Sequence, residues 1–272
     1  MLAYEEIRPP AGNPAKTFAF LHGILGRGAN WRSIARGFVQ ARPDHRALLV
    51  DLRRHGDSLE VDGPDTLEAA AADLRSLPGR LDGLLGHSFG GKVALQYAAT
   101  EPVAELWLID SNPGPRPDRR GSELIERVLT ALRSAPHTVG RRADFVRALM
   151  AEGLKEGVAR WLAMSLRREG GGFRYPVDLD AIDALLASYF AADLWPVLER
   201  TEARAHLVVA TRSEVFGPDD RRRARELAAR RSNVLVHELD AGHWVHVDAP
   251  EALLALLSEG AKGVTPAARS SP

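Results

Sequence analysis

The sequence contains no cysteine, and this absence excludes several kinds of chemistry. Without cysteine the chain can form no disulfide, bind no metal through a thiolate and use no cysteine nucleophile. The lack of disulfides agrees with a reducing compartment. Residues 1–8 are polar and acidic, whereas a secretory signal peptide needs a basic start and an apolar run. We therefore expect a cytoplasmic protein.

Net charge and long apolar runs are also missing. The 36 lysines and arginines equal the 36 aspartates and glutamates, so the formal net charge is zero. A chain with no excess charge has no general attraction for nucleic acid or an anionic membrane, and no stretch approaches the ~20 apolar residues of a membrane span. We expect neither partner, and we interpret the arginines at 221–225 as a solvated helix face. No pattern in the sequence indicates an oligomeric state.

Short apolar runs alternate with helical patterns along most of the chain. Alternating strands and helices are typical of a parallel sheet covered by helices on both faces, so the pattern predicts an α/β fold. The predicted strands are an edge strand at 2–8 and buried strands at 17–21, 45–51, 83–86, 105–110, 206–210 and 233–237.

Residues 115–200 interrupt this alternation. They contain no convincing buried strand and instead show amphipathic helical stretches. We interpret them as a helical insertion that divides a core of residues 1–114 and 201–260. The small, polar residues 261–272 are expected to be a disordered tail.

The most informative stretch is Gly86-His87-Ser88-Phe89-Gly90. A predicted strand precedes it and a predicted helix follows at 91–99, which is the context of a nucleophile elbow. Such a turn holds a serine in a strained backbone conformation where a base can reach its hydroxyl. Glycines on either side leave room for strand and helix to approach, because they lack a Cβ. The alternative is a glycine-rich turn with an incidental serine.

Four segments, in this order, together resemble the α/β-hydrolase fold superfamily. They are Leu21-His22-Gly23, Asp51-Leu52-Arg53-Arg54-His55-Gly56-Asp57-Ser58, Gly86-His87-Ser88-Phe89-Gly90-Gly91 and Ala241-Gly242-His243-Trp244. The chain is more closely similar to the alpha/beta hydrolase domain-containing protein 11 group and to bacterial short-chain esterases. That similarity lies in residues 108–113, 173–180 and 242–246. The resemblance implies a mostly parallel sheet of about eight strands, with a helical cap inserted after the sixth strand.

The resemblance also implies a nucleophile and a base. Ser88 would be the nucleophile, and His243, in a late loop that follows a predicted strand, would be its base. His243 and His246 form an H-x-x-H pair, but no carboxylate has suitable spacing, so we expect no metal site. We expect no cofactor either.

The acid that orients His243 has several candidates. In the family it usually follows the strand at 206–210, where this chain has Glu214 and no aspartate. Asp110, at the end of the preceding strand, occupies the alternative position, and the nearer relatives carry an aspartate there and a serine like Ser213 after the next strand. We predict Asp110, with Ser213 as an auxiliary hydrogen-bonding residue, and keep Glu214 and Asp180 as alternatives.

The remaining family segments predict backbone and loop roles. The N–H groups of Phe89 and Ile24 would form the oxyanion hole, which requires two donors aimed at the developing charge. Arg53, His55 and Asp57, in the segment 51–58, are interpreted as residues that hold a loop in place through hydrogen bonds.

This resemblance implies a serine hydrolase that cleaves carboxylic esters or thioesters of small to medium acyl groups through an acyl-enzyme intermediate. The cap would line an apolar acyl pocket. The same fold also serves C–C bond hydrolases, lactonases and perhydrolases, and a catalytically silent ligand-binding relative would retain it.

Overall fold

A seven-stranded sheet organises residues 1–259, which are the residues that this computed structural model describes. The order across the sheet is β1-β3-β2-β4-β5-β9-β10, and every neighbouring pair is parallel except β1 with β3. In chain order the strands are β1 Tyr4–Ile7, β2 Lys16–Leu21, β3 His45–Val50, β4 Gly83–His87, β5 Glu105–Ile109, β6 Thr138–Val139, β7 Arg167–Glu169, β8 Gly172–Arg174, β9 Arg204–Ala210 and β10 Val234–Leu239.

Helices cover both faces of this sheet. Within residues 1–259 they are α1 Arg32–Ala41, α2 Leu67–Asp73, α3 Phe89–Ala98, α4 Glu123–Ser134, α5 Arg142–Ala151, α6 Glu156–Ala163, α7 Leu179–Ala191, α8 Trp195–Arg200, α9 Pro218–Arg230, α10 Val245–Asp248 and α11 Pro250–Glu259. The predicted tail at 261–272, and the last residue of the predicted core segment 201–260, lie outside the described residues.

The central strands are apolar because both of their faces are buried. On one face, Phe38 of α1 packs against Phe18 and Phe20 of β2, with ring centroids 4.8 and 5.4 Å apart. On the other face, Val93 of α3 and Leu84 of β4 belong to a second buried cluster that continues into the insertion. The predicted α/β architecture is confirmed.

The insertion differs in two respects from its prediction. It follows the fifth strand along the chain rather than the sixth, and the main sheet has seven strands in the described residues where about eight were expected. It also contains a small antiparallel sheet, in the order β6-β8-β7, which the prediction of a purely helical segment missed. β7 and β8 have three residues each and are largely exposed, so no apolar alternation marks them.

One buried lysine joins the insertion to the core. Lys92, on α3, is 1% exposed, and its Nζ donates to the carbonyl oxygens of Gly114, Tyr189 and Ala192, each at 2.8 Å. An ammonium group has three N–H donors, and here all three are used. Lys92 therefore fastens both the start of the insertion and the end of α7 to the helix that follows the elbow.

Replacing Lys92 by methionine is expected to destabilise the protein, because two buried carbonyl groups and one partly buried one lose their donor. We expect the free energy of unfolding, measured by urea denaturation, to fall by about 3 kcal/mol. Lys155→Met is the matched control, because Lys155 is exposed. Equal stabilities of the two variants would show that the Lys92 contacts do not fasten the insertion.

Candidate active site

Ser88 lies in a strained turn between β4 and α3. Its φ of 51° and ψ of −115° are unusual for a residue with a side chain. A Cβ at Gly86 would lie 2.1 Å from the Gly90 carbonyl oxygen, and a Cβ at Gly90 would lie 2.6 Å from that of His22. Both positions therefore require glycine, which explains the spacing of the motif around the serine.

His243 and Asp110 are in direct contact. The Nδ1 of His243, in the loop after β10, lies 2.7 Å from the Asp110 Oδ2. Asp110 directly follows β5 and is fully buried, and its Oδ1 accepts a hydrogen bond from the Ala210 N–H at 3.2 Å. A neutral imidazole that donates through Nδ1 keeps its lone pair on Nε2. His243 and Ser88 line the same pocket.

The other candidates for the acid position lie elsewhere. Glu214 is exposed, and the Asp180 side chain is 98% exposed and lies 3.6 Å from Arg133. The Ser213 Oγ accepts a hydrogen bond from the Val215 N–H and forms none with His243 in the described part of the chain. Of the predicted acids, the structure brings only Asp110 to His243.

The backbone N–H groups of Ile24 and Phe89, which both line this pocket, have no acceptor within residues 1–259. Phe89 is the first residue of α3, where a helix leaves its N–H groups without internal partners. By contrast, the next four N–H groups after Ile24, from Leu25 to Gly28, all donate to acceptors in the protein. The two predicted oxyanion donors therefore border the pocket and are available.

Buried histidines support the loop that carries Ile24. His55 accepts a hydrogen bond from the Leu25 N–H at 2.8 Å through Nε2, and its Nδ1 donates to the Arg53 carbonyl oxygen at 2.7 Å. His22 similarly accepts from the Leu52 N–H at 3.0 Å. Burial lowers the pKa of His22 to about 4 and that of His55 to about 3, so both rings stay neutral and can accept.

The segment 51–58 makes the contacts expected of a structural loop. The Arg53 guanidinium binds both oxygens of Asp73, at 2.7 and 2.9 Å, and Asp57 lies 2.6 Å from Arg167 of the insertion. Asp51, which the sequence analysis had not singled out, accepts hydrogen bonds from the N–H groups of Gly28 and Asp57, both at 2.8 Å. This segment and the Ile24 loop are thus tied together.

His87, the residue before Ser88, was missed by the sequence analysis. Its Nε2 donates to the His243 carbonyl oxygen at 2.8 Å, and the two rings are 4.6 Å apart. Burial, together with nearby His243 and His246, lowers the pKa of His87 well below its ordinary value, so the ring is neutral. The sequence did offer a signal for His87, because a histidine stands directly before the predicted nucleophile. His87 fixes the position of the His243 loop.

His246 packs against aromatic rings beside the site. Its ring lies 4.8 Å from that of Trp31 and 5.3 Å from that of His87, and burial lowers its pKa to about 4. In the part of the chain that the structure describes, no group of three or more histidine, cysteine, aspartate or glutamate side chains could hold a metal ion.

Ser88 faces a mostly apolar pocket, whose space of about 630 Å³ includes open solvent at its mouth. Residues of the insertion supply most of its apolar wall, so the insertion covers the serine. These residues are Leu124, Ile125, Val128, Trp161, Leu186, Tyr189 and Phe190. A second space of about 980 Å³ lies on the far side of Ile24, Trp161 and Trp244, which border both.

Residues 18–256 match the model of the alpha/beta hydrolase family. The chain belongs to this family. This hydrolase is 30% identical over 262 residues to the sn-1-specific diacylglycerol lipase ABHD11 of Mus musculus, covering 92% of this chain and 81% of the mouse protein. It is 27% identical over 247 residues to Esterase YbfF of Escherichia coli strain K12, covering 86% and 88%. The predicted resemblance to these two groups is confirmed.

Solved structures agree on the fold of this hydrolase. A marine microorganism esterase superposes with a TM-score of 0.79 at 22% identity, covering 95% of this chain and 98% of that one. An esterase of M. tuberculosis gives a TM-score of 0.68 at 25% identity, covering 96% and 92%. Within residues 1–259, no helix combines the length and the apolar character needed to cross a bilayer.

The neutral buried histidines make stability depend on pH. Above pH 6.5 the His55 ring is neutral in both the folded and the unfolded chain. Below this value the unfolded chain binds a proton that the folded protein excludes down to about pH 3. The free energy of unfolding therefore decreases as the pH is lowered. When the pH is lowered from 7 to 5, we expect the free energy of unfolding to fall by about 2 kcal/mol less in His55→Gln than in the wild type.

This prediction is checked by urea denaturation at several pH values. Glutamine keeps an acceptor for the Leu25 N–H but does not titrate. His137→Gln serves as the control, because His137 is exposed and is expected to leave the slope unchanged. If the free energy of unfolding depended on pH equally in His55→Gln and in the wild type, the conclusion that His55 stays neutral in the folded protein would be wrong.

Proposed function

We propose that this hydrolase is a serine hydrolase that cleaves carboxylic esters or thioesters of small to medium acyl groups. One observation carries the proposal. Ser88 stands in a nucleophile elbow that shares its pocket with His243, and the far nitrogen of that imidazole is 2.7 Å from the buried carboxylate of Asp110. This arrangement suits a nucleophile, a base and an orienting acid.

In the proposed reaction, the His243 Nε2 takes the Ser88 proton as Oγ attacks the substrate carbonyl carbon. The carbonyl π electrons move to oxygen, and the N–H groups of Ile24 and Phe89 stabilise that negative charge. When the oxyanion collapses, the bond to the alcohol or thiol breaks and the leaving group receives the proton from His243. The product of this first half is an acyl-Ser88 ester.

Water then completes the cycle by the same route. His243 removes a proton from the water, whose oxygen attacks the acyl carbon to form a second oxyanion. Collapse of that intermediate releases the carboxylic acid and returns the proton to Ser88. Asp110 stays ionised and stabilises the imidazolium formed in each half-reaction.

Ester chemistry is favoured by the relatives and by the pocket. The mouse and Escherichia coli relatives are named as a lipase and an esterase, at 30% and 27% identity. The pocket wall is mostly apolar, which suits an acyl chain rather than a highly polar substrate.

Hydrolysis of p-nitrophenyl butyrate tests this proposal. We expect Ser88→Ala to reduce kcat by at least about 10⁴-fold, because the nucleophile is lost. Asp110→Asn should reduce it by about 10³- to 10⁴-fold, since an amide favours the wrong imidazole tautomer. Glu214→Gln and Asp180→Asn are matched controls in which exposed acids are neutralised, and both should stay within about twofold of the wild type.

A fluorophosphonate probe separates catalysis from simple binding. The wild type should form a covalent adduct at Ser88 that mass spectrometry can locate, and Ser88→Ala should form none. Equal ester hydrolysis by the wild type and Ser88→Ala would overturn the mechanism. Tight binding of a small ligand by an unreactive wild type would instead indicate a catalytically silent relative.

A further inference from the structure

Arg116 is a buried arginine that lines the pocket in front of Ser88. It is 3% exposed, and its guanidinium carbon lies 5.3 Å from the ring centroid of Tyr189 and 5.1 Å from that of Phe190. Nη1 donates to the Arg120 carbonyl oxygen at 2.5 Å, and Nη2 donates to the Tyr189 hydroxyl at 2.8 Å. The Nε–H is buried and has no acceptor in the described part of the chain.

The two other arginines of comparable burial each bind a carboxylate. Arg42 reaches both oxygens of Glu105, at 2.9 and 3.0 Å, and Arg53 reaches both oxygens of Asp73, at 2.7 and 2.9 Å. Both are 2% exposed. Arg116 has no carboxylate within 4 Å anywhere in residues 1–259. It is therefore a buried cation without the counter-charge that its equivalents possess.

Nothing else around the pocket supplies that charge. Among the described lining residues, the other ionisable side chains are His87, Tyr189 and His243, and none is an aspartate or glutamate. Lys92, on the neighbouring helix α3, has used all three of its donors on carbonyl groups. Burying an unpaired charge costs several kcal/mol, and the contacts with Tyr189 and Phe190 offset only part of that cost.

Arg116 is also close to the reacting serine. Phe89, which follows Ser88, has its ring centroid 6.0 Å from that of Tyr189, and the Arg116 guanidinium lies on this same tyrosine. The Tyr189 ring thus contacts both the Arg116 guanidinium and Phe89, the residue that follows the nucleophile. Ser88 and Arg116 line the same pocket, so an acyl group on Ser88 enters the space that Arg116 borders.

We propose that the substrate's acyl chain ends in a carboxylate that binds Arg116. The substrate class is the monoester or monothioester of a dicarboxylic acid, and this inference rests on the proposed function of Ser88. A guanidinium matches a planar carboxylate through parallel N–H donors. Arg116 is the one arginine or lysine among the described lining residues, and a single guanidinium balances one carboxylate.

Matched ethyl esters test the proposal. Monoethyl adipate and ethyl hexanoate have acyl chains of the same length, and ethyl 6-amino-6-oxohexanoate replaces the carboxylate by a neutral amide. We expect the wild type to cleave monoethyl adipate with a kcat/KM about 10- to 100-fold higher than either neutral ester, because it alone forms a charged hydrogen-bonded pair. Chromatography of the released acids gives the rates.

Variants assign this preference to Arg116. Arg116→Met should lower the ratio of kcat/KM for adipate ester to hexanoate ester by about 10- to 100-fold, and Arg116→Lys should retain part of it. Arg119→Met is the matched control. Its guanidinium also lies over the Phe190 ring, at 5.5 Å, but its side chain is 52% exposed. The ratio should be preserved in Arg119→Met, and equal losses in both variants would overturn the assignment.

Calorimetry with Ser88→Ala tests the site without hydrolysis. Monoethyl adipate should bind at least about tenfold more tightly than ethyl hexanoate, and adding Arg116→Met should abolish the difference. If no ester is cleaved and the fluorophosphonate does not react, the proposed function fails while this measurement still decides the role of Arg116. A wild type that prefers neutral esters, or a Ser88→Ala variant that binds both esters equally, would overturn the carboxylate proposal.

Discussion

The close approach of α3 to β4 at Gly86 and to the end of β2 at Gly90 is the constraint on which the candidate site depends. A Cβ at either glycine would collide with backbone atoms, so the turn between strand and helix can be this tight only with glycine. The tight turn places Ser88 in its strained conformation. Neighbouring strand β5 then holds the turn on both sides, because Ser88 N–H donates to the Ile109 carbonyl at 3.0 Å and Ser111 Oγ donates to the Ser88 carbonyl at 2.7 Å.

Strand register carries this constraint to Asp110. His87 pairs with Ile109, so Ser88 and Asp110 leave the sheet side by side at the carboxyl edge. A slip of one residue would turn every side chain of β5 to the opposite face and would remove the carboxylate from His243. The long-range contact between Asp110 and His243 thus follows from a local turn and a parallel strand pair.

The sequence predicted those parts of the molecule that local patterns encode. Apolar runs predicted the core strands, and the glycine spacing around Ser88 predicted the tight turn between strand and helix. The acid kept several candidates because 133 residues separate Asp110 from His243, and only the folded loops show which acid reaches the imidazole. The strands β7 and β8 are short and exposed, so they lack the apolar alternation that marks a strand. Arg116 was missed because a buried arginine and an exposed one such as Arg119 look alike in a sequence.

The insertion leaves the sheet from β5 and returns on β9, its direct neighbour. The pairing of Glu105 with Arg204 and of Ile109 with Val208 holds β5 and β9 one strand spacing apart, about 4.8 Å, and because the strands are parallel the insertion leaves at their carboxyl edge and returns at their amino edge. The insertion is therefore equivalent to one long loop between two neighbouring strands, and the sheet fixes the position of both of its ends. Loop-closure entropy grows only slowly with length, so evolution can lengthen or shorten this loop at little entropic cost while the Lys92 contacts are kept. New substrate preferences can then arise by replacing the loop, while the elbow and its partners stay in place.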